Sequence, residues 1–291
     1  MKDHYAPTTQ YEKLQSLCTK RSRGHPLQYL LGSQPFGNLD IICRKGVLIP
    51  RPETETYTAH LADLIKNETK SCQNLKILDL CTGTGAIPLM LYDLLHSHYQ
   101  KLEVVGIDFS KQAIKLARHN AEHSTASLGD CRDRVTFVEA DVLQSDFIQK
   151  MRMDQGDGFD VIISNPPYIS TTSYWKDTSR SARIIEPRSA LVPPTHIPDH
   201  LDMEHLQIED MFYSVIAAVA MMASPRYLLM EVADMEQAKR VVRHVRQRGS
   251  FESVEIWRDW PMDGGIEEVH DEEISYKIRG SGHGRAVFCR I

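Results

Sequence analysis

The 291-residue sequence is poor in several features that would assign it to well-defined classes of protein. Its six cysteines form no C-x-x-C pair and no histidine spacing completes a zinc site, so we expect no metal and unpaired thiols in a reducing compartment. No apolar run is long enough to span a bilayer, and the first residues do not read as a signal peptide. Positive charge is not in excess either: 34 basic and 39 acidic residues give a formal net charge of −5. This balance argues against a broadly basic nucleic-acid-binding surface.

The remaining composition, 42% hydrophobic and 25% charged, is that of an ordinary globular protein. The sequence pattern divides it into a short N-terminal helical segment over residues 1–24, a hairpin or linker over 25–56 and a main domain over 57–291. In the main domain, near-continuous apolar strands alternate with amphipathic helices. Such alternation predicts an α/β fold with a doubly wound, mostly parallel sheet.

Several further elements follow from the pattern. Residues 47–49 are predicted to form a short apolar strand, and the polar stretch 170–205 to form a lid or substrate loop. Two final strands, 254–257 and 286–290, are expected to pair as an antiparallel hairpin at the sheet edge. The polar stretch between them, 259–284, is expected to be mobile.

The first predicted strand of the main domain runs into a glycine turn. Residues 77–80 are followed by Cys81-Thr82-Gly83-Thr84-Gly85 and then by a helix. Glycines at such a turn let the backbone approach a ligand, and the helix N-terminus favours polar groups there. Asp108 ends the next strand, where a carboxylate can bind ribose hydroxyls. The D-x-x-T-G-T-G spacing suits S-adenosylmethionine better than a dinucleotide, although a plain tight turn is the alternative.

The fourth predicted strand ends in Asn165-Pro166-Pro167-Tyr168, at the same edge of the sheet as the glycine turn. Proline fixes the loop and has no N–H donor, so its neighbouring carbonyls are available as acceptors. The Asn165 side-chain oxygen and the Pro166 carbonyl can accept the two hydrogens of a planar NH2 group, while the Tyr168 ring stacks on its plane. An Asn-Pro turn that merely closes the strand is the alternative. Together with the donor turn, the segment predicts methyl transfer to an amide or amine nitrogen.

These motifs resemble the class I S-adenosylmethionine-dependent N-methyltransferases, whose fold is a seven-stranded Rossmann-like sheet. Within that class, the chain resembles the HemK/PrmC-type release factor glutamine methyltransferases. That resemblance rests on four further segments: His25 to Gly32, Val47 to Glu55, Glu186 to Leu191 and Arg285 to Phe288. It implies N5-methylation of the glutamine in the Gly-Gly-Gln motif of a peptide-chain release factor. It also implies that the family's N-terminal helical domain is reduced here to about one helix before His25.

The motifs and the resemblance together assign two groups of residues. The glutamine would be held by Asn165, Pro166, Pro167 and Tyr168. The donor site would be formed by Asp79, Cys81, Thr82, Gly83, Thr84, Gly85, Asp108, Asp141, Val142 and Asn165. Of these, Asp141 either contacts the adenine or caps a turn. Cys81 replaces the usual first glycine of the turn, which is tolerable if its φ angle is negative.

Arg51 and Glu53, in the segment after residue 50, are either linked to the site or structural. We expect the protein to be a monomer that acts on a release factor, with no stable nucleic-acid or membrane binding. Two other functions stay open: an N6-adenine or other nucleic-acid N-methyltransferase, and a non-catalytic S-adenosylmethionine-binding module. The long polar loops and low glycine content are typical of a eukaryotic chain, and the eukaryotic branch of the family resembles mitochondrial enzymes. The resemblance therefore implies a mitochondrial location, with the cytoplasm as the alternative.

Overall fold

A computed structural model of the protein describes residues 9–68, 74–124, 128–129, 131–154, 158–249, 251–271 and 274–291. Within them the α-helices are α1 (Gln10–Ser22), α2 (Leu27–Leu31), α3 (Pro52–Glu68), α4 (Ala86–Leu95), α5 (Lys111–His123), α6 (Phe147–Asp154), α7 (Thr171–Lys176), α8 (Arg180–Ile185), α9 (Met211–Ala223) and α10 (Met235–Arg248). The strands are β1 (Ser33–Phe36), β2 (Leu39–Ile42), β3 (Asn74–Leu80), β4 (Lys101–Asp108), β5 (Val135–Glu139), β6 (Val161–Ser164), β7 (Tyr227–Glu231), β8 (Ser253–Trp260), β9 (Ile266–Asp271), β10 (Ile274–Arg279) and β11 (Ser281–Arg290).

The central strands are buried on both faces. Every residue of β6 and β7 is buried, as expected for parallel strands covered by helices on each side. One face of the sheet packs against α3, α4 and α5, and the other against α6, α9 and α10. The predicted doubly wound α/β fold is therefore correct.

The main sheet has nine strands in the described part of the chain, in the order β5-β4-β3-β6-β7-β11-β8-β10-β9. The first seven strands in this order match the predicted seven-stranded sheet, but β10 and β9 extend it. The final predicted strands do pair antiparallel, as β8 with β11. The prediction that they form the sheet edge is wrong, because β10 pairs parallel with β8 and β9 lies outside it.

The expectation of a mobile stretch at 259–284 is also wrong where the structure describes it, since β9 and β10 lie there. These strands escaped prediction because only one face of β10 is buried, through Tyr276 and Ile278. The remaining residues of β10 are mostly charged or polar, so the alternation of buried and exposed residues is too short to be recognised in the sequence.

The segment before the main domain folds against its helices. Strands β1 and β2 form a separate antiparallel hairpin, and Asn120 of α5 bonds both backbone groups of Ile42. Residues 47–49 were predicted as a strand but form a loop, because side chains satisfy their backbone: the Tyr29 hydroxyl donates to the Val47 carbonyl at 2.6 Å. Helix α3 then begins at Pro52, a favoured first helical residue. The proposed division of the chain at residues 24 and 56 stays a prediction.

The polar stretch 170–205 contains α7 and α8, each with a serine N-cap, and a 3-10 helix at Arg188–Ala190. In the described ranges, no helix has both the length and the apolar character needed to cross a membrane.

Candidate active site

The two predicted motifs leave the sheet side by side. Strands β3 and β6 are parallel neighbours in which Leu80 lies opposite Ser164, so Cys81 and Asn165 follow adjacent strand ends. The Ser164 hydroxyl donates to the Leu80 carbonyl at 2.8 Å and ties the two ends together. The chain order reverses between β3 and β6, and ligands of open α/β sheets bind at such a reversal.

The two glycines of the turn have different surroundings. Both have positive φ, +56° at Gly83 and +78° at Gly85. A Cβ atom on Gly83 would meet nothing within 4 Å, whereas one on Gly85 would lie 2.9 Å from the Phe137 ring and 3.0 Å from Ala117. Gly83 therefore leaves room beside the turn, and Gly85 allows α4 to start close to the sheet.

The first residue of the turn departs from expectation. Cys81 has a φ of +65°, so the condition that its φ be negative is not met. A side chain in this left-handed region costs about 1–2 kcal/mol. Its thiol is not a ready nucleophile, because burial raises its pKa well above the ordinary value and the nearby charges of Asp108 and Asp79 add to the shift.

Two carboxylates flank the turn. Asp108, at the end of β4, accepts from the Gly83 N–H at 2.9 Å and from the Ser110 N–H at 2.8 Å. Burial raises the pKa of Asp108, and these two bonds oppose the shift. Asp79 is fully buried, and neither carboxylate oxygen has a hydrogen-bond partner of normal geometry among the described residues.

Burial also raises the pKa of Asp79 well above its usual range, and the charge of Asp108 adds to the rise. The nearby Thr82 hydroxyl opposes this shift. A buried carboxylate without a partner is unfavourable in its ionised form, in agreement with the raised pKa. Asp79 does not line the pocket at the glycine turn, so its assignment to the donor site stays a prediction. Gly83, which leaves open space, and the Asp108 carboxylate do line that pocket, and they fit S-adenosylmethionine, which carries an ammonium group and ribose hydroxyls.

The residues after β5 are placed differently. The Asp141 carboxylate accepts from the Leu143 N–H at 3.0 Å and from the Gln144 side-chain amide at 3.2 Å, so it caps its own turn. Val142 is buried in the core. Neither residue lines the pocket at the glycine turn. Their assignment to the adenine stays a prediction.

Two pockets meet at Asn165. The donor pocket is lined by residues 81–84, Asp108 and Pro167, together with the loop 46–51. The second pocket, which we call the acceptor pocket, is lined by Pro166, Tyr168 and residues of α7 and α8. The residues that line both pockets are Leu48, Arg51, Asn165 and Ala190. Asn165 thus lies at the boundary between the two pockets, which a group transferred from one pocket to the other would have to cross.

Two side chains of the Asn-Pro-Pro-Tyr segment, Asn165 and Tyr168, are fixed by hydrogen bonds to buried residues outside the segment. The Asn165 Nδ2 group donates to Thr54 Oγ1 at 3.2 Å. The Tyr168 hydroxyl donates to Glu231 Oε1 at 2.7 Å, which anchors the rim of the acceptor pocket. Glu231, at the end of β7, is 1% exposed and also accepts from the hydroxyls of Thr54 and Tyr57.

Sequence reasoning missed Thr54 and Glu231. The available signal for Glu231 was an acidic residue that ends an apolar strand at the carboxyl edge of the sheet.

Arg51 connects its own loop to the loop that carries Glu186. Its guanidinium donates to both oxygens of Glu186, at 2.8 and 3.0 Å, and the Ile49 N–H donates to the same carboxylate. For Glu53, by contrast, the described contacts suggest no role.

The fold and the site define a class I S-adenosylmethionine-dependent methyltransferase. A family model described as a methyltransferase domain matches residues 71–251. The N-terminal domain of human METTL16, solved in complex with SAH, superimposes with a TM-score of 0.52 at 14% identity over 100% of this chain and 98% of that one. This structural likeness supports the fold alone.

Sequence relatives narrow the class. The "Mitochondrial MRF1 N(5)-glutamine methyltransferase MTQ1" of Saccharomyces cerevisiae is 33% identical over 93% of this chain and 76% of its own length. A probable mitochondrial counterpart from Schizosaccharomyces pombe is 38% identical over 62% of this chain, and the release factor glutamine methyltransferase of Chlorobaculum tepidum 36% over 66%. The alignments span 56% and 62% of those two relatives. The chain belongs to this family of glutamine methyltransferases.

Proposed function

We propose that the protein transfers a methyl group from S-adenosylmethionine to the side-chain nitrogen of a glutamine in the Gly-Gly-Gln motif of a peptide-chain release factor. The observation that carries the proposal is the position of Asn165, whose side chain lies in the wall shared by the donor and acceptor pockets. Its Nδ2 group is engaged by Thr54, which leaves Oδ1 as an acceptor for the substrate.

On the donor side, the protein would hold the cofactor through the backbone at Gly83 and the carboxylates of Asp79 and Asp108. Asp141 and Val142 are proposed to border the adenine. The bound cofactor supplies an electrophilic methyl group on a sulfonium sulfur. The protein's contribution is to hold that group at the shared wall and to keep the turn dry, which raises the strength of each polar contact there.

On the acceptor side, a glutamine amide is a weak nucleophile because its nitrogen lone pair is delocalised. Asn165 Oδ1 and the Pro166 carbonyl would each accept one of the two amide hydrogens, and Tyr168 would pack on the amide plane. Both hydrogens would then point away from the donor pocket, with the nitrogen facing it. The new N–C bond would form as the methyl–sulfur bond of the donor breaks and leaves a neutral thioether, and one amide proton would pass to solvent. The two acceptors would stabilise the positive charge that develops on nitrogen.

The partner follows from the relatives. Two fungal relatives are named as mitochondrial MRF1 N(5)-glutamine methyltransferases, one of them as probable, and bacterial relatives are named as release factor glutamine methyltransferases. We therefore propose a release factor as the substrate of this chain. The fungal names favour a mitochondrial location, and the bacterial names keep the cytoplasm as the alternative.

The test is radiolabelled methyl transfer from S-adenosylmethionine to a purified release factor, with a second release factor in which the motif glutamine is alanine. We expect label only on the unaltered factor. Asn165→Ala should lower kcat by about 100-fold, because one preorganised polar contact to the reacting group is lost. Donor affinity, measured by calorimetry, should change little.

Asn38→Ala provides a matched control, since Asn38 bonds Asp93 outside both pockets. This variant should retain wild-type kcat. Label on the alanine-containing factor, or label on DNA or RNA without label on protein, would overturn the proposed function.

A further inference from the structure

We propose that Thr54 and Glu231 are positioning residues that set which end of the Asn165 side chain faces the acceptor pocket. This inference rests on the proposed function, because it concerns the atom that accepts the glutamine hydrogens. Neither residue needs to touch the substrate's reacting nitrogen for this role.

The three side chains form one hydrogen-bonded chain from distant parts of the sequence. Thr54 lies in the first turn of α3, Asn165 follows β6, and Glu231 ends β7. Thr54 Oγ1 is 2.6 Å from Glu231 Oε2 and 3.2 Å from Asn165 Nδ2. Thr54 is 4% exposed and Glu231 1%. Solvent therefore cannot readily replace a partner in this chain.

The direction of the chain follows from a count of protons. A threonine hydroxyl has one hydrogen to donate and lone pairs to accept with, whereas an ionised carboxylate only accepts. Since Thr54 gives its hydrogen to Glu231, it can only accept from Asn165. The Asn165 amide must then present Nδ2 to Thr54 and Oδ1 to the pocket. If the Asn165 amide were reversed, its NH2 group would face the NH2 group of the substrate glutamine. Two donors would then meet without an acceptor, and the glutamine could not be bound.

Three hydroxyl groups converge on the Glu231 carboxylate as donors. Burial raises its pKa, but three hydroxyl donors oppose the shift: Thr54, Tyr57 and Tyr168. The charge of Arg285 also opposes the rise, which burial nevertheless dominates. A protonated Glu231 could instead donate to Thr54, whose hydrogen would then turn to Asn165 and reverse the amide. The hydroxyl cluster thus keeps the chain of bonds in one direction.

The arrangement gives α3 a role in the reaction. Because Thr54 is supplied by the first turn of α3, the seating of that helix on the sheet decides the geometry at Asn165. The loop 47–51 leads directly into this turn and lines both pockets. A change in how this segment docks would therefore change the turnover rate even where no residue touching the substrate is altered.

The test compares Thr54→Val, which keeps the shape but removes the hydroxyl, with Thr54→Ser, which keeps the hydroxyl. We expect Thr54→Val to lower kcat by about tenfold, the size of one lost polar contact, with donor affinity within about twofold. Thr54→Ser should restore kcat to within about threefold of wild type. The matched control is Thr58→Val, one helical turn on, whose buried hydroxyl donates only to the Thr54 carbonyl among the contacts described.

A second readout does not depend on turnover. In protein labelled with 15N-asparagine, the Asn165 side-chain amide hydrogens should exchange slowly in wild type and in Thr58→Val, and faster in Thr54→Val. Should Thr54→Val not fold, Thr54→Ala serves in its place.

Equal exchange rates in wild type and Thr54→Val, or equal kcat values, would overturn the positioning role. A wild-type protein that labels no release factor would instead overturn the proposed function, while the exchange measurement would still decide the direction of the amide.

Discussion

The donor and acceptor sides of the active site are built in opposite ways. The donor side is mostly backbone from one contiguous turn, residues 81–85, with Asp108 bonded to the Gly83 N–H. The acceptor side is made of side chains from distant positions: Thr54 and Asn165 are 111 residues apart, and Thr54 and Glu231 177 apart.

The difference predicts different sensitivities. A backbone cradle has few side chains to lose, so added volume or a changed φ angle should damage it most. A side-chain network tolerates small changes of shape, but the removal of one partner leaves a buried polar group unsatisfied. Substitutions on the two sides should therefore have different effects on stability and on binding.

The largest effect is expected at Gly85. In Gly85→Ala the new methyl group would lie 2.9 Å from the Phe137 ring and 3.0 Å from Ala117, in a backbone conformation with positive φ. Overpacking and the left-handed backbone together should lower the free energy of unfolding by about 3 kcal/mol or more. Chemical denaturation measures this change.

Gly83→Ala is the matched control, because its Cβ would meet nothing within 4 Å in the protein. It should cost about 1–2 kcal/mol from the backbone alone. It should nevertheless weaken donor binding, since the space beside the turn is then occupied. Equal losses of stability in the two variants would show that Gly85 has no special packing role.

A smaller effect is expected at Arg51, on the wall between the two pockets. Its loss in Arg51→Met leaves the buried Glu186 carboxylate without its cation. Because Arg51 is itself about one-third exposed, solvent should limit the loss of unfolding free energy to about 1–2 kcal/mol. The KM for the release factor should rise, since the loop 47–51 lines the acceptor pocket.

Lys150→Met removes an exposed ion pair with Asp146 and should change stability by less than about 0.5 kcal/mol. If Arg51→Met were as mild as this control in denaturation and in KM, the tie between the two loops would have no energetic importance.

The same contrast explains what could be predicted from the sequence. The donor turn is local: a strand, two glycines and Asp108 at the next strand end are visible as a spacing, and the mostly parallel sheet follows from the alternation of strands and helices. Asn165 was equally visible, because its segment follows a strand. The doubly wound architecture was therefore predictable, and so was the edge of the sheet at which the candidate site lies.

The partners of Asn165 were not predictable in this way. Thr54 belongs to a helix start that could be read as a simple cap, and Glu231 ends a strand without any motif. Their pairing depends on how α3 docks against β7, which no local pattern records. The hairpin of β9 and β10 was missed for a similar reason, since only a few buried side chains mark it.

The smallest predicted change in unfolding free energy concerns Cys81, a turn residue whose backbone conformation is unfavourable for a residue with a side chain. Cys81 has a φ of +65°, where glycine is favoured. Cys81→Gly should relieve about 1–2 kcal/mol of backbone strain. Glycine's greater freedom in the unfolded chain and the lost sulfur contacts offset part of this, which leaves a gain of about 0.5 kcal/mol in unfolding free energy.

Cys81→Ala separates the two contributions, because it removes the sulfur without relieving the backbone, and it should lower stability slightly. The difference between the glycine and alanine variants, measured by denaturation under identical conditions, then reports the strain at this position. Were alanine as stable as glycine, the left-handed conformation would carry no cost, and the cysteine would be as well suited to the turn as the glycine it replaces.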